Sequence, residues 1–260
     1  MWQPKPPMWA PGIRQGHPLA QGLQLAWPIW TGGGSLAGDV SGNGRAGTIA
    51  AGTTHITTQH GRALSFDGST GMVSRAAFDH YAAFSFCLIY RPTAATTGNW
   101  FGVTSGIVPA TWSLYRNGND LRFYVNGFGT TERPAYVGAA VTNAWHHLVG
   151  TWAGNNTQRL WKDGAELSAT ASTTCPASLN KGAAHTVYLS HNSLANTYLA
   201  GECVLAMIWL RTLQPGEAVS LYADPWSLIT PRRRSYFYAA TAPGSLASPW
   251  YYHLQQAVAA

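Results

Sequence analysis

Charge is scarce in this chain, with only 10% of its 260 residues being Asp, Glu, Lys or Arg, and that scarcity argues against a disordered or coiled-coil protein. Acidic residues are the scarcest, ten in all and widely scattered, which leaves little for sites built from several carboxylates. Cysteine is limited to Cys87, Cys175 and Cys203, with no CxxC spacing and no His partner at zinc-finger distance. Neither a disulfide framework nor structural zinc is expected. Cys87 in "FSFCLIY" and Cys203 in "GECVLAMIWL" read instead as small hydrophobes inside strands. No apolar run is long enough to span a membrane. The opening "MWQPKPPMWAPGIRQG" puts prolines where a secretion signal needs an unbroken apolar stretch, so synthesis in the cytoplasm without a signal peptide is expected.

What is plentiful is glycine, with 28 residues, and tryptophan, with 12, a composition of strands, turns and aromatic packing. Half of the formal net charge of +6 comes from Arg232, Arg233 and Arg234, so no broad basic surface and no specific nucleic-acid partner are expected. From residue 19 the chain reads as about eleven short strands, among them 22–29, 63–68, 71–75, 84–92, 99–104, 112–118, 121–127, 185–192 and 199–213. Turn chemistry separates them at Asn117-Gly118, Asn126-Gly127, Asp163-Gly164 and the Gly-rich "TGGGSLAGDVSGNGRAG". One helix is expected in "QPGEAVSLYADPW". There Pro215 suits the first turn, Glu217 complements the N-terminus, Ala218, Leu221 and Tyr222 share a face, and Pro225 ends the helix.

"NAWHHLVGTWAGNNTQRLWKDGAEL" invites a metal or catalytic reading because His146 and His147 are adjacent. On a strand, however, neighbouring side chains point to opposite faces, and two ligands of one metal must converge. The stretch is two strands and a tight Asp-Gly turn.

The order of these pieces resembles the laminin-G-like, or concanavalin A-like, jelly-roll family. "HPLAQGLQLAWPI", "DVSGNGRAGTI", "GRALSFDGSTGMVS", "FSFCLIYRP", the WHH strand with its hairpin, and "MIWLRTLQPGEAVSLYADPWSLI" follow one another over residues 17–230. The resemblance implies an all-β fold: a two-sheet antiparallel jelly-roll sandwich with one short C-terminal helix. It also makes Trp145, His147, Leu148 and Thr151 framework positions. The flanks "GIRQGHPLAQGL" and "LYADPWSLITPRRR" are similar to versions of this domain among virion structural proteins of tailed bacteriophages, which implies a virion location.

Three kinds of site remain to be weighed. "DVSGNG" places Asp39, Ser41 and Asn43 at alternate positions, as in the first half of an EF-hand loop, but Ala50 stands where the bidentate Glu belongs. An Asx turn is the stronger reading and calcium the weaker. Asp67 in "SFDGS" reads as a turn residue. No E-x-D-x-x-E pattern and no G-x-S-x-G elbow is present, so no enzyme activity and no catalytic residue is expected. Sugars stack on aromatic rings and exchange hydrogen bonds with amides, and Trp100, Trp112, Tyr115, Asn117, Tyr124 and Asn126 supply both kinds of group.

Residues 1–18, dense in proline, form an N-terminal arm; 19–230 form the sandwich; 231–260 form a second extended arm. Trp2, Trp9, Arg232, Arg233, Arg234, Trp250, Tyr251 and Tyr252 are the expected docking residues of these arms. The leading expectation is a non-enzymatic virion protein, a capsid decoration or head fibre, attached through its arms to the major capsid protein or another virion protein. A homo-oligomer is expected, a trimer by analogy with capsid three-fold positions. The alternative is a carbohydrate-binding module or adhesin that recognises host surface glycans, with no membrane partner in either case.

Overall fold

The computed structural model describes residues 11–29, 34–78, 83–95, 97–105, 108–125, 135–136, 140–154, 157–168, 185–192 and 197–231. In chain order the strands begin with β1 (Pro11–Ile13), β2 (Leu23–Pro28), β3 (Leu36–Ala37), β4 (Gly47–Ile49), β5 (Thr53–Thr58), β6 (Gly61–Asp67) and β7 (Val73–Arg75). They continue with β8 (Phe84–Pro92), β9 (Gly98–Ser105), β10 (Val108–Asn117), β11 (Asp120–Val125), β12 (Ala135–Tyr136), β13 (His146–Trp152) and β14 (Arg159–Lys162). The last are β15 (Ala165–Glu166), β16 (Thr186–Leu189), β17 (His191–Asn192), β18 (Thr197–Tyr198), β19 (Ala200–Trp209) and β20 (Ile229–Pro231), with helix α1 (Pro215–Ala223) between the final two.

Two antiparallel sheets stack into a sandwich. The first has the order β15-β14-β13-β8-β19-β6-β5, with β2 added along the second half of β19; the second has the order β12-β11-β10-β9-β16-β7-β4-β3. The strand patterns already distinguish them. β8 reads "FSFCLIYRP", an almost unbroken apolar run buried on both faces, whereas β11 reads "DLRFYV" and alternates between half-buried and buried positions. A continuous run belongs to a strand covered on both sides, and alternation to a strand with one face at the surface.

The side chains obey this division. Between the sheets lies a core of Trp27, Phe84, Phe86, Tyr90, Trp100, Trp112 and Trp152 with aliphatic neighbours. A second core covers the outer face of the first sheet, where Cys87, Ile89, Val149, Met207 and Trp209 meet Ala218 and Leu221 of α1, together with Leu19, Trp226 and Ile229. Trp209 Nε1 donates to the Leu19 carbonyl at 2.7 Å, which ties the outermost layer to the sheet beneath. We refer to these as the covered sheet and the open sheet.

Helix α1 forms as its sequence predicts. Glu217 accepts the Gln214 N–H at 2.8 Å and holds the Arg211 guanidinium with both oxygens, at 2.7 and 2.6 Å. Residues 11–18, expected within the N-terminal arm, include a paired strand and the start of a 3-10 turn. Pro11–Ile13 pairs antiparallel with Ile229–Pro231, and Pro18–Ala20 forms a 3-10 turn with Leu19 buried, so residues 11–18 belong to the body. Proline tolerates both places because each can leave its missing N–H unpaired. Strand β5, "TTHITT", was not anticipated, since at the sheet edge its threonines are half-buried or exposed and Ile56 is its one aliphatic residue.

Candidate functional site

Alternation along β10 and β11 decides which expected site residues reach the surface. Trp112 and Leu114 point inward with Phe123 and Val125, while Ser113, Tyr115 and Asn117 point outward with Arg122 and Tyr124. Trp112 is fully buried, stacked on Phe86 at 5.1 Å and on Phe84 at 4.9 Å. Trp100 is also fully buried, stacked on Tyr90 at 5.1 Å. The expectation that these two tryptophans are sugar platforms is therefore corrected to core packing. For Trp100 the cause is a bulge: the β9–β10 register shifts between Leu114 and Tyr115, so Trp100 and Phe101 both reach the inter-sheet core.

The outer face of the open sheet keeps the remaining members and adds others. Across β9, β10 and β11 the residues Asn99, Tyr115 and Arg122 lie in one register row. Asn99 is 2% exposed, and its Oδ1 is buried with no donor; Arg122 Nε is buried with no acceptor. Tyr115 sits between this acceptor and this donor, with its ring edge-on to Tyr124 at 5.3 Å. In the adjacent row Tyr188, Gly102, Ser113 and Tyr124 follow each other across β16, β9, β10 and β11. Neighbouring strands are about 4.8 Å apart, so the two tyrosines of this row stand about 14 Å apart at the backbone. Gly102 and Ser113, the small residues, lie between them. Beside Tyr188, His191 packs against both Tyr188, at 4.9 Å, and Tyr198, at 4.4 Å.

Asn117 faces outward at the hairpin end, opposite Asp120. Asn126, Trp2, Trp9, Arg232, Arg233, Arg234, Trp250, Tyr251 and Tyr252 lie outside the described residues. Asn99, Arg122 and Tyr188 were missed by sequence reasoning. The outward parity of Arg122 and Tyr124 in "LRFYV" was a usable signal, whereas Asn99 depends on the bulge.

The Asp39 loop takes the form of an Asx turn, the stronger of its two sequence readings. Asp39 Oδ1 accepts the N–H groups of Ala26, at 3.0 Å, and Ser41, at 2.9 Å; Oδ2 accepts Arg45 N–H and the Ser41 hydroxyl, both at 2.8 Å. Asn43 turns its amide nitrogen toward the Leu23 and Gln24 carbonyls. These oxygens are committed to protein donors, as an Asx turn requires. Asp67 is a turn residue as expected, accepting the N–H groups of Ser69, Thr70 and Gly71. The first two of those bonds, above all, hold its carboxyl well below the usual range. Among the described residues no group of three His, Cys, Asp or Glu is placed to hold a metal ion, and no helix is long and apolar enough to cross a membrane.

The two histidines diverge as alternation requires. His146 faces the inter-sheet core, stacked toward Trp100 at 6.3 Å, with Nε2 at 3.1 Å from the Val141 carbonyl. His147 lies on the other side, 3.4 Å from Cys87 Sγ and 5.7 Å from the Tyr222 ring of α1. Burial pulls His147 down to about 4 and pushes the Cys87 thiol up. An un-ionised thiol under a helix is a poor nucleophile.

A family model described as "Concanavalin A-like lectin/glucanases superfamily" matches residues 66–218. No curated protein matches the sequence. Among solved structures, a Trypanosoma rangeli sialidase in complex with sialic acid superposes with a TM-score of 0.59 at 16% identity, over 77% of this chain and 32% of that one. Domain 4 of AbnA, a GH43 extracellular arabinanase from Geobacillus stearothermophilus, in complex with arabinotriose, gives 0.54 at 17% identity, over 77% of this chain and 98% of that one. The binding domain of Paraclostridial Mosquitocidal Protein 1 gives 0.57 at 12%, over 78% and 52%. At such identities the likeness is one of fold, and the chain spans about a third of the length of the sialidases it matches.

Proposed function

The chain belongs to the concanavalin A-like lectin/glucanases superfamily, and from that premise we propose that it is a non-catalytic carbohydrate-binding domain whose ligand lies on the outer face of the open sheet. The observation that carries this reading is the row Asn99–Tyr115–Arg122, an aromatic ring between a buried acceptor and a buried donor that have no protein partner. An unpaired buried polar atom costs about 1–3 kcal/mol. A sugar ring stacked on Tyr115 brings hydroxyls, which donate and accept, over the half-buried Arg122 guanidinium in the same row. Tyr124 and Tyr188 border the small residues Gly102 and Ser113 and offer further stacking surface. Domain 4 of the arabinanase, which the alignment covers almost entirely, is in complex with arabinotriose, and that supports the ligand class. The absence of catalysis is supported by the carboxylates: Asp163 is held by His146 and the His147 N–H, and Glu166 pairs with Arg159.

A glycan array that includes arabino-oligosaccharides and sialylated glycans tests this. Binding to at least one class is expected, and Tyr115→Ala is expected to weaken it tenfold or more while the thermal midpoint stays within a few degrees. An array with no specific hit, or equal binding by the variant, sinks the reading.

Under the second reading, a virion decoration or head-fibre protein, attachment is placed at the β1–β20 ribbon. That ribbon packs through Ile13 and Ile229 on the covered sheet, the side away from Tyr115, so attachment there leaves the open sheet facing outward.

A further inference from the structure

We propose that Arg122 makes the open-sheet site selective for an acidic sugar, and that the group it receives is a carboxylate. The inference rests on the carbohydrate-binding reading and names the chemical class of that site's ligand. Charge is sparse on the open sheet: its described strands carry three arginines, Arg75, Arg116 and Arg122, and one carboxylate, Asp120. Arg75 is paired with Val187 and shares the inward parity of Val73 and Val187. Arg116 is buried and spends its N–H groups on the carbonyls of Ala94, Gly118 and Ala140 and on the Thr142 hydroxyl. Arg122 is left as the cation of the outer face, level with Tyr115.

Elsewhere the fold neutralises its arginines: Arg91 lies on Glu202, Arg159 on Glu166 and Arg211 on Glu217. Among the described residues no carboxylate is within ion-pair distance of Arg122, and Asp120, two positions back on the same strand, is engaged elsewhere. Arg122 Nε is buried with no acceptor, while the residue as a whole is half-buried. The guanidinium therefore meets the surface through Nη1 and Nη2. Two donors in one plane match the two oxygens of a carboxylate, whereas a neutral hydroxyl takes one of them and leaves the charge uncompensated. A cation already partly withdrawn from water gains most from a ligand group that offsets its charge. Neighbouring strands are about 4.8 Å apart, so a ring stacked on Tyr115 carries its own carboxylate to Arg122.

An array of uronic-acid, sialylated, sulfated and neutral oligosaccharides of matched length tests this, followed by titration of the best carboxylated ligand and of its methyl ester. The wild-type chain is expected to bind the acid at least tenfold more tightly than the ester, by a margin that shrinks as salt is raised. Arg122→Gln is expected to weaken acid binding at least tenfold and to bring acid and ester level. Arg122→Lys, which keeps the charge without the planar fork, is expected to retain part of the margin. The acid-to-ester ratio of the wild-type chain needs no variant, so it reads the inference even where a substitution unfolds the domain. Equal affinity for acid and ester, hits confined to sulfated or neutral glycans, or an unchanged margin in Arg122→Gln overturns the proposal. Neutral hits that Tyr115→Ala abolishes would overturn it and leave the carbohydrate-binding reading standing, whereas an array with no specific hit removes both.

Discussion

Trp112 and Tyr115 stand three residues apart on one strand and face opposite sides of the sheet, so substituting each has a different consequence. Trp112→Ala empties a site packed by Phe84, Phe86 and Phe101. We expect it to cost about 3–5 kcal/mol, read from the denaturant midpoint, with ligand affinity of the folded fraction retained. Selective loss of affinity at wild-type stability would show that Trp112 touches ligand after all. The alternation of β10 was legible, but which of its two faces met the core was not, because aromatic residues occupy both. Trp100 was hidden more deeply: the bulge that turns both Trp100 and Phe101 inward leaves no mark in a single sequence.

Elements carried more of their structure on the surface of the sequence than single residues did. The β14–β15 connection was readable as Asp163-Gly164, and both residues take positive φ, 51° and 84°, as a twisted two-residue turn demands. Gly164 is doubly constrained, since a Cβ there would also meet Tyr222 Cδ1 at 2.5 Å. Gly164→Ala is expected to destabilise by about 1–3 kcal/mol, through left-handed strain and displacement of Tyr222 from His147. An unchanged thermal midpoint would contradict that coupling between turn and helix. The unbroken apolar run of β8 and the alternation of β11 separated a twice-buried strand from a surface strand. By contrast β5 was invisible, because an edge strand with half-buried Thr and one Ile lacks the amplitude of either pattern.

For the molecule as a whole the ionisable groups set a direction with pH. His147 is held neutral down to about 4, whereas in the unfolded chain it protonates near 6.5. The unfolded state thus binds the extra proton first, and stability falls as pH drops from about 6.5 to about 4, by about 1 kcal/mol per pH unit. Below that window Asp67, Asp163 and Glu217 continue the trend. Each lies under its ordinary value: Asp67 through backbone N–H bonds, Asp163 through His146 and the His147 N–H against the opposing effect of burial, and Glu217 through Arg211. Their contribution is complete above the ordinary carboxylate range and disappears as they protonate. Urea unfolding at several pH values, with His147→Gln alongside, checks this: the variant is expected to lose most of the slope between about 6.5 and 4, burial of His60 supplying the remainder, and to keep the steep fall below it. A wild-type profile flat down to pH 4 would count against a buried neutral His147.

At this scale the two-sheet sandwich was legible from strand number and turn spacing, but the covering of one sheet by α1 and the termini was not. Contacts such as Trp209 with Leu19 join residues 190 positions apart, a distance no local pattern encodes. The adjacency of Pro11 and Pro231 has a further practical meaning. Because the body begins and finishes at neighbouring points, it is a self-contained cassette: spliced into a surface loop of an unrelated host protein, it would hardly part that loop's two ends, and its open sheet would be carried outward on the new host.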